Sequence, residues 1–166
     1  MQMLNVTLLG VELAHLFTGS VLKVMDAFGA KDGSSAEFLS SFQGRVVKRG
    51  VPTKLVADNA PLYCSKSIAK YLLELRISLF QCERKKQYQN KVERCWQVAK
   101  RYTNRLQDRT KAPNIMWLYA LLFVIFCLNH MVDPVLAGGT QTPAGYASNT
   151  VTDIRPLLPF AFWQPV

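Results

Sequence analysis

Two stretches decide the fold, GVPTKLVADNA (50–60) and, further on, QYQNKVERCWQVAK (87–100). In the first, TKLVADN reads as a buried strand that ends at Asp58, set off from what precedes it by Gly50 and Pro52. The second begins in a polar loop, RKKQYQN (84–90), and turns into a long helix near Lys91. At 100° per residue, Val92, Trp96, Ala99, Thr103 and Leu106 share one side of that helix. Glu93, Gln97, Lys100 and Asn104 form the adjacent stripe, and Arg94, Arg101 and Arg105 a third. One helix thus carries a core face, a single acid flanked by amides and a lysine, and a purely basic ridge. Glu93 has two readings: it neutralises neighbouring arginines, or it belongs to a site with Asp58.

Upstream, VTLLGVEL, AHLFTG and LKVMDAFG are short runs rich in Val, Leu and Phe, broken by Gly10, Gly19 and Gly29, and they read as a β-meander. Ser34 or Ser35 then caps a helix whose apolar positions Phe38, Leu39, Phe42, Val46 and Val47 recur at helical steps. Between the two deciding stretches, SKSIAKYLLELR (65–76) has a capping serine and an apolar face of Ile68, Tyr71, Leu72 and Leu75, and SLFQCE reads as a fifth strand. A meander followed by alternating helix and strand predicts a mixed α/β domain. At 166 residues the chain fits one domain that buries a core without staples.

Downstream, IMWLYALLFVIFCL (115–128) is 14 residues of apolar sequence before Asn129 and His130 break it. A bilayer span needs about 20 residues, so a core helix is expected, begun by Pro113 and with Leu122 and Ile125 buried. Thr142-Pro143 starts a short helix, and DIRPLLPFAFWQPV is apolar and proline-studded without a regular period.

The positive charge is concentrated. Between Arg84 and Lys111 stand ten basic residues and two acids, Glu93 and Asp108, so this window supplies +8 of the net +9. A solvated helix face usually mixes signs, and a block of one sign asks for a polyanion, nucleic acid first and an anionic membrane surface second. The cysteines at 64, 82, 95 and 127 form no CxxC pair and stand far from His15 and His130, which excludes a zinc finger and gives no disulfide framework. The start MQMLNV shows no basic segment leading into an apolar one, so no signal peptide is expected, and the location expected is nuclear or cytoplasmic.

Asp58 at a strand end and Glu93 on a helix face, with 34 residues between them, are placed to converge on a divalent ion. Together with Gly-x-Pro before the strand, Asp-Asn-Ala at its end and Gln-x-Gln-Asn-x-x-Glu-Arg, the pattern resembles the catalytic core of copia-type retrotransposon integrases. The likeness continues through KAPNIMWLYALLFVIFCLNH and DIRPLLPFAFWQPV; it covers 45–166 well and the first 45 residues loosely. It implies an RNase H-like fold, a mixed five-stranded sheet flanked by helices, spanning 1–166 as one core-like domain. The family's N-terminal zinc module and C-terminal DNA-binding domain are expected to be absent.

The resemblance also implies a chemistry: three carboxylates holding two Mg²⁺ or Mn²⁺ ions that activate water or a 3′-hydroxyl for attack on a phosphodiester. Asp58 matches the second acid and Glu93 the third. Gln89 and Asn90 match the polar loop, and Lys100 a lysine that contacts DNA. With Lys85, Lys86, Lys91, Arg94, Arg101 and Arg105 these make up the expected nucleic-acid-binding set. The first acid is missing: Asn5, Val6 and Thr7 stand in the first predicted strand, LNVTLLG, and Asp26, the nearest substitute, falls in the third. The expected function is therefore that of an integrase core descended from a mobile element, binding DNA, with impaired catalysis. Its rivals are a non-catalytic nucleic-acid-binding remnant and a small membrane protein anchored by 115–132. DNA is the expected partner, with a homodimer as a further option and neither zinc nor membrane.

Overall fold

The computed structural model describes residues 12–19, 23–57, 63, 65–81 and 91–150, apart from the side chain of Lys91. Within them the chain runs β1 (Leu13–Thr18), β2 (Met25–Ala30), α1 (Ser35–Arg49), β3 (Lys54–Ala57), α2 (Lys66–Glu74), β4 (Ser78–Gln81), α3 (Lys91–Thr110), α4 (Trp117–His130) and α5 (Pro143–Ser148). Three helix starts are fixed by side-chain caps, which satisfy amides that lack an intrahelical partner. Ser34 Oγ accepts from the Glu37 amide at 3.3 Å, Ser65 Oγ from Ile68 at 3.4 Å and Thr142 Oγ1 from Gly145 at 3.0 Å. Gly50 ends α1 at φ 83°, a left-handed conformation that a side chain would strain.

The described strands do not form the single five-stranded sheet expected. They pair as two two-stranded sheets, β1 with β2 and β3 with β4, and the predicted first strand, LNVTLLG, lies outside the described residues. Pairing follows the connections. β2 lies back along β1, with the Glu12 amide on the Ala30 carbonyl (3.1 Å) and the Gly19 amide on the Val24 carbonyl (2.9 Å). The second pair is parallel, Lys54 opposite Ser78 and Ala57 opposite Gln81, which requires a crossover, and α2 supplies it. Two details of the strand reading are corrected. Gly29 lies inside β2, at an exposed position where no side chain is needed for packing, and β3 is exposed along most of its length, only Ala57 being buried.

The chain divides into two compact units, the first holding the chain up to His15 and Phe28–Arg94, the second Leu16–Ala27 and Cys95 onwards. In the first, Phe38 and Phe42 of α1 are buried with Ile68 and Leu72 of α2. Phe38 and Phe42 stack at 6.1 Å, and Tyr63 and Tyr71 meet them edge-on at 4.8 and 6.2 Å. Val47, expected on the apolar face of α1, is 89% exposed, because the last turn of that helix runs past the ring cluster. His15 is buried here too, its Nδ1 hydrogen-bonded to Ser41 Oγ at 2.9 Å and its Nε2 without a partner among the described residues.

The second unit is built on α4, with Trp117, Ala120, Leu121, Val124 and Ile125 buried. Leu122, expected beside Ile125 in the core, is 40% exposed: three positions apart on a helix is one side only approximately, and Leu121 takes the inward place. The helix runs on through Asn129, where the apolar run stops, and ends at His130. Asn129 is buried, its Oδ1 accepting from the Met25 amide (2.8 Å) and its Nδ2 donating to the Met25 carbonyl (2.7 Å). Pro113 opens a short 3-10 turn, Asn114–Met116, rather than α4 itself.

Candidate nucleic-acid interface

Helix α3 is 20 residues long, about 30 Å at the standard rise per residue. Its faces fall as the periodicity predicts. Ala99 and Thr103 are buried at 0% and 2% exposure, and the Thr103 hydroxyl donates to the Ala99 carbonyl at 2.9 Å, so no polar atom of that side chain is stranded in the core. Val92, Trp96 and Leu106 are half-buried beside them.

The two other stripes face outward. Glu93, Gln97 and Asn104 are exposed and Lys100 is half-buried. Glu93 lies in the first turn, where a carboxylate is favoured by the helix dipole, and it makes no ion pair among the described residues. Its reading as a neutraliser of neighbouring arginines therefore finds no ion pair there. Arg94, Arg101 and Arg105 are all exposed, again with no ion pair among the described residues. Arg109 adds a further exposed guanidinium in the last turn. Three like charges held at helical spacing with no counter-ion among the described residues form a ridge suited to phosphates.

The other predicted site residues divide in two. Lys91 is the first residue of α3. Asp58, Lys85, Lys86, Gln89 and Asn90 lie outside the described residues, as do Asn5, Val6 and Thr7. Among the described residues no group of three or more His, Cys, Asp or Glu is placed to hold a metal ion. Asp26, the substitute weighed for the missing acid, is 1% exposed in β2, whereas Mg²⁺ in such sites keeps several waters and needs open space beside its ligands.

Sequence reasoning missed the buried polar contacts. These are His15–Ser41 and Asn129–Met25; at the surface, Lys23 Nζ also meets the Asp133 carboxylate at 2.8 Å. That ammonium and the Val135 amide hold the Asp133 carboxyl below its ordinary pKa. An asparagine inside an apolar run was the available signal, since such a residue must find partners if the helix continues through it. No described helix is long and apolar enough to cross a membrane.

No family model matches the chain, and no curated protein matches it by sequence. Solved structures do match it. A chain of the simian T-cell lymphotropic virus intasome, solved with the PP2A regulatory subunit B56 gamma, superposes with a TM-score of 0.70 at 21% identity, over 92% of this chain and 52% of that one. The HTLV-2 integrase catalytic core domain in complex with magnesium matches in its dimeric form with a TM-score of 0.66 at 19% identity, over 81% of this chain and 83% of that one. Its trimeric form matches with a TM-score of 0.63 at 20% identity, over 79% and 81%. The chain spans about half the length of the intasome chain and most of the length of the catalytic cores. The fold is that of retroviral integrase catalytic cores.

Proposed function

We propose that the chain is an integrase-core-like domain of copia-type retrotransposon origin, RNase H-like over 1–166, which binds DNA along α3 and is impaired in strand transfer. The observation that carries this reading is the exposed Arg94–Arg101–Arg105 ridge on a helix of a chain with an integrase-core fold. Phosphate contacts from such a ridge position a duplex without reading its sequence. Gln89, Asn90, Lys85, Lys86, Lys91 and Lys100 extend the same surface in this proposal, and the nucleus or cytoplasm is where it would act.

Magnesium is the ion this family chemistry calls for, and when bound by three carboxylates it polarises the phosphodiester and lowers the pKa of water. Here Asp58 and Glu93 are the two acids proposed to face it. With one anionic ligand missing no catalytic step is assigned to the chain, and weak Mg²⁺ or Mn²⁺ binding is expected.

The test is fluorescence anisotropy on duplexes of unrelated sequence. Affinity is expected to be indifferent to sequence and to fall with salt at a log–log slope of about −0.9 per phosphate contacted, with changing the three arginines to alanine flattening that slope. Salt-independent affinity, or no binding at low salt, overturns the reading. Strand transfer on a pre-processed DNA end is expected at background. Robust Mg²⁺-dependent transfer abolished by Glu93→Gln would show the catalytic site to be intact. Placing Asp at position 5, 6 or 7 is expected to raise Mg²⁺ affinity measured by titration calorimetry.

A further inference from the structure

Within the second unit, residues of the later turns of α3 and of α4 line an open cleft of about 630 Å³. That volume lies in the range of ligand pockets, roughly 300–1,000 Å³. Its floor is apolar, formed by Phe123 and Cys127 of α4 and by Met131 just beyond it. Met131 is 59% exposed, so the apolar surface continues out to the mouth. The α3 wall carries Tyr102, Arg105 and Arg109. The two arginines are one helical turn apart, both exposed, with neither an ion pair nor a hydrogen bond among the described residues. Asp108 also lines the wall, which leaves a net positive charge along it.

An apolar floor under a cationic rim is a poor surface for a nucleic-acid backbone, which has no apolar groups to place there. It suits an amphipathic peptide. Large side chains at one-turn spacing fill such a groove, while acidic residues beside them meet the rim. The remainder of the Arg ridge, Arg94 and Arg101, is not part of the cleft wall, so the two surfaces can be tested separately.

We infer that this cleft docks a segment of a partner protein that carries two or three large apolar side chains flanked by Asp or Glu. The experiment is selection of a random phage-displayed peptide library on the purified full chain, then anisotropy on labelled synthetic versions of the enriched peptides. Enriched peptides are expected to be net negative with large apolar residues at one-turn spacing. Arg109→Glu and Met131→Glu, both at exposed positions, are each expected to weaken them about tenfold or more, roughly 1.4 kcal/mol. Thermal melting checks that each variant is folded, and either variant alone suffices if the other is not. Arg94→Ala is expected to leave peptide affinity unchanged while weakening DNA. The inference is overturned if no peptide is enriched, if the enriched peptides are basic or neutral, if neither folded variant weakens them, or if Arg94→Ala weakens them as much as Arg109→Glu.

Discussion

Asn129 in the second unit and His15 in the first are both polar side chains buried in a largely apolar interior, and they are partnered differently. In the second unit Asn129 has both ends of its amide satisfied by the Met25 backbone, and it carries no charge at any pH. In the first unit His15 is satisfied at Nδ1 by Ser41, sits edge-on to Phe38 at 5.5 Å, and leaves Nε2 without a partner among the described residues. Whichever tautomer is present, one ring nitrogen is buried without a hydrogen bond among the described residues. A buried group with all its partners adds to stability, whereas one with half of them leaves a penalty in place. The second unit therefore has a polar clamp indifferent to pH, and the first a weak point that responds to it.

Breaking the apolar interior of the second unit is expected to have the largest effect. Leu121→Ala removes a side chain that is 1% exposed and should cost about 3 kcal/mol by denaturant unfolding, as buried leucine truncations do. Leu122→Ala, one position on and 40% exposed, should cost less than about 1 kcal/mol by the apolar area it covers. Equal costs would show that the inward side of α4 is assigned wrongly.

Asn129→Ala should come next. It leaves the Met25 amide and carbonyl buried and unpaired, at a cost of about 1–3 kcal/mol that does not vary between pH 5 and 8. A loss below about 0.5 kcal/mol, the range of neutral surface changes, would mean that the clamp contributes nothing.

His15 sharpens the contrast through pH. Burial lowers its pKa from the ordinary 6.5, against a smaller upward pull from Glu37 and Asp32. The folded form thus takes up a proton less readily than the unfolded one. Its contribution is intact above about pH 6.5 and declines as pH falls from there towards the depressed folded value. Stability profiles from pH 8 to 5 should show this decline, and His15→Phe should remove it while leaving stability at pH 8 nearly unchanged. A decline that persists in the variant would locate the acid sensitivity elsewhere.

The smallest effect on stability is expected at the ridge. Arg94→Ala, Arg101→Ala and Arg105→Ala remove exposed side chains without ion pairs among the described residues, and each should change unfolding free energy by less than about 0.5 kcal/mol. Their effect should appear in DNA affinity and its salt dependence instead. A ridge variant that destabilises the fold as much as Asn129→Ala would make these arginines part of the interior.

Much of this was readable in advance. Ser34, Ser65 and Thr142 mark helix starts because a cap is a local interaction, settled within three residues of sequence. The stripes of α3 were legible for a related reason: polar and apolar residues alternate along it, so a period of 3.6 defines an inside and an outside. The basic ridge and the exposure of Glu93 followed from the same periodicity.

Helix α4 shows where that signal ends. It is apolar nearly all round, so no periodicity distinguishes its faces, and Leu121 rather than Leu122 turns inward only because of what packs against it. The burial of Asn129 was not legible because the backbone of Met25, which satisfies it, is 104 residues away in sequence. Strand pairing is equally non-local: four strands were readable as strands, but their grouping into β1–β2 and β3–β4 depends on backbone bonds that no single segment encodes. The amino-acid sequence by itself determined element types, caps and the charged face of α3, since each arises between near neighbours in the chain. Which apolar side is buried, which polar side chains find partners and which strands pair were decided by tertiary structure, because each needs a second segment to be present.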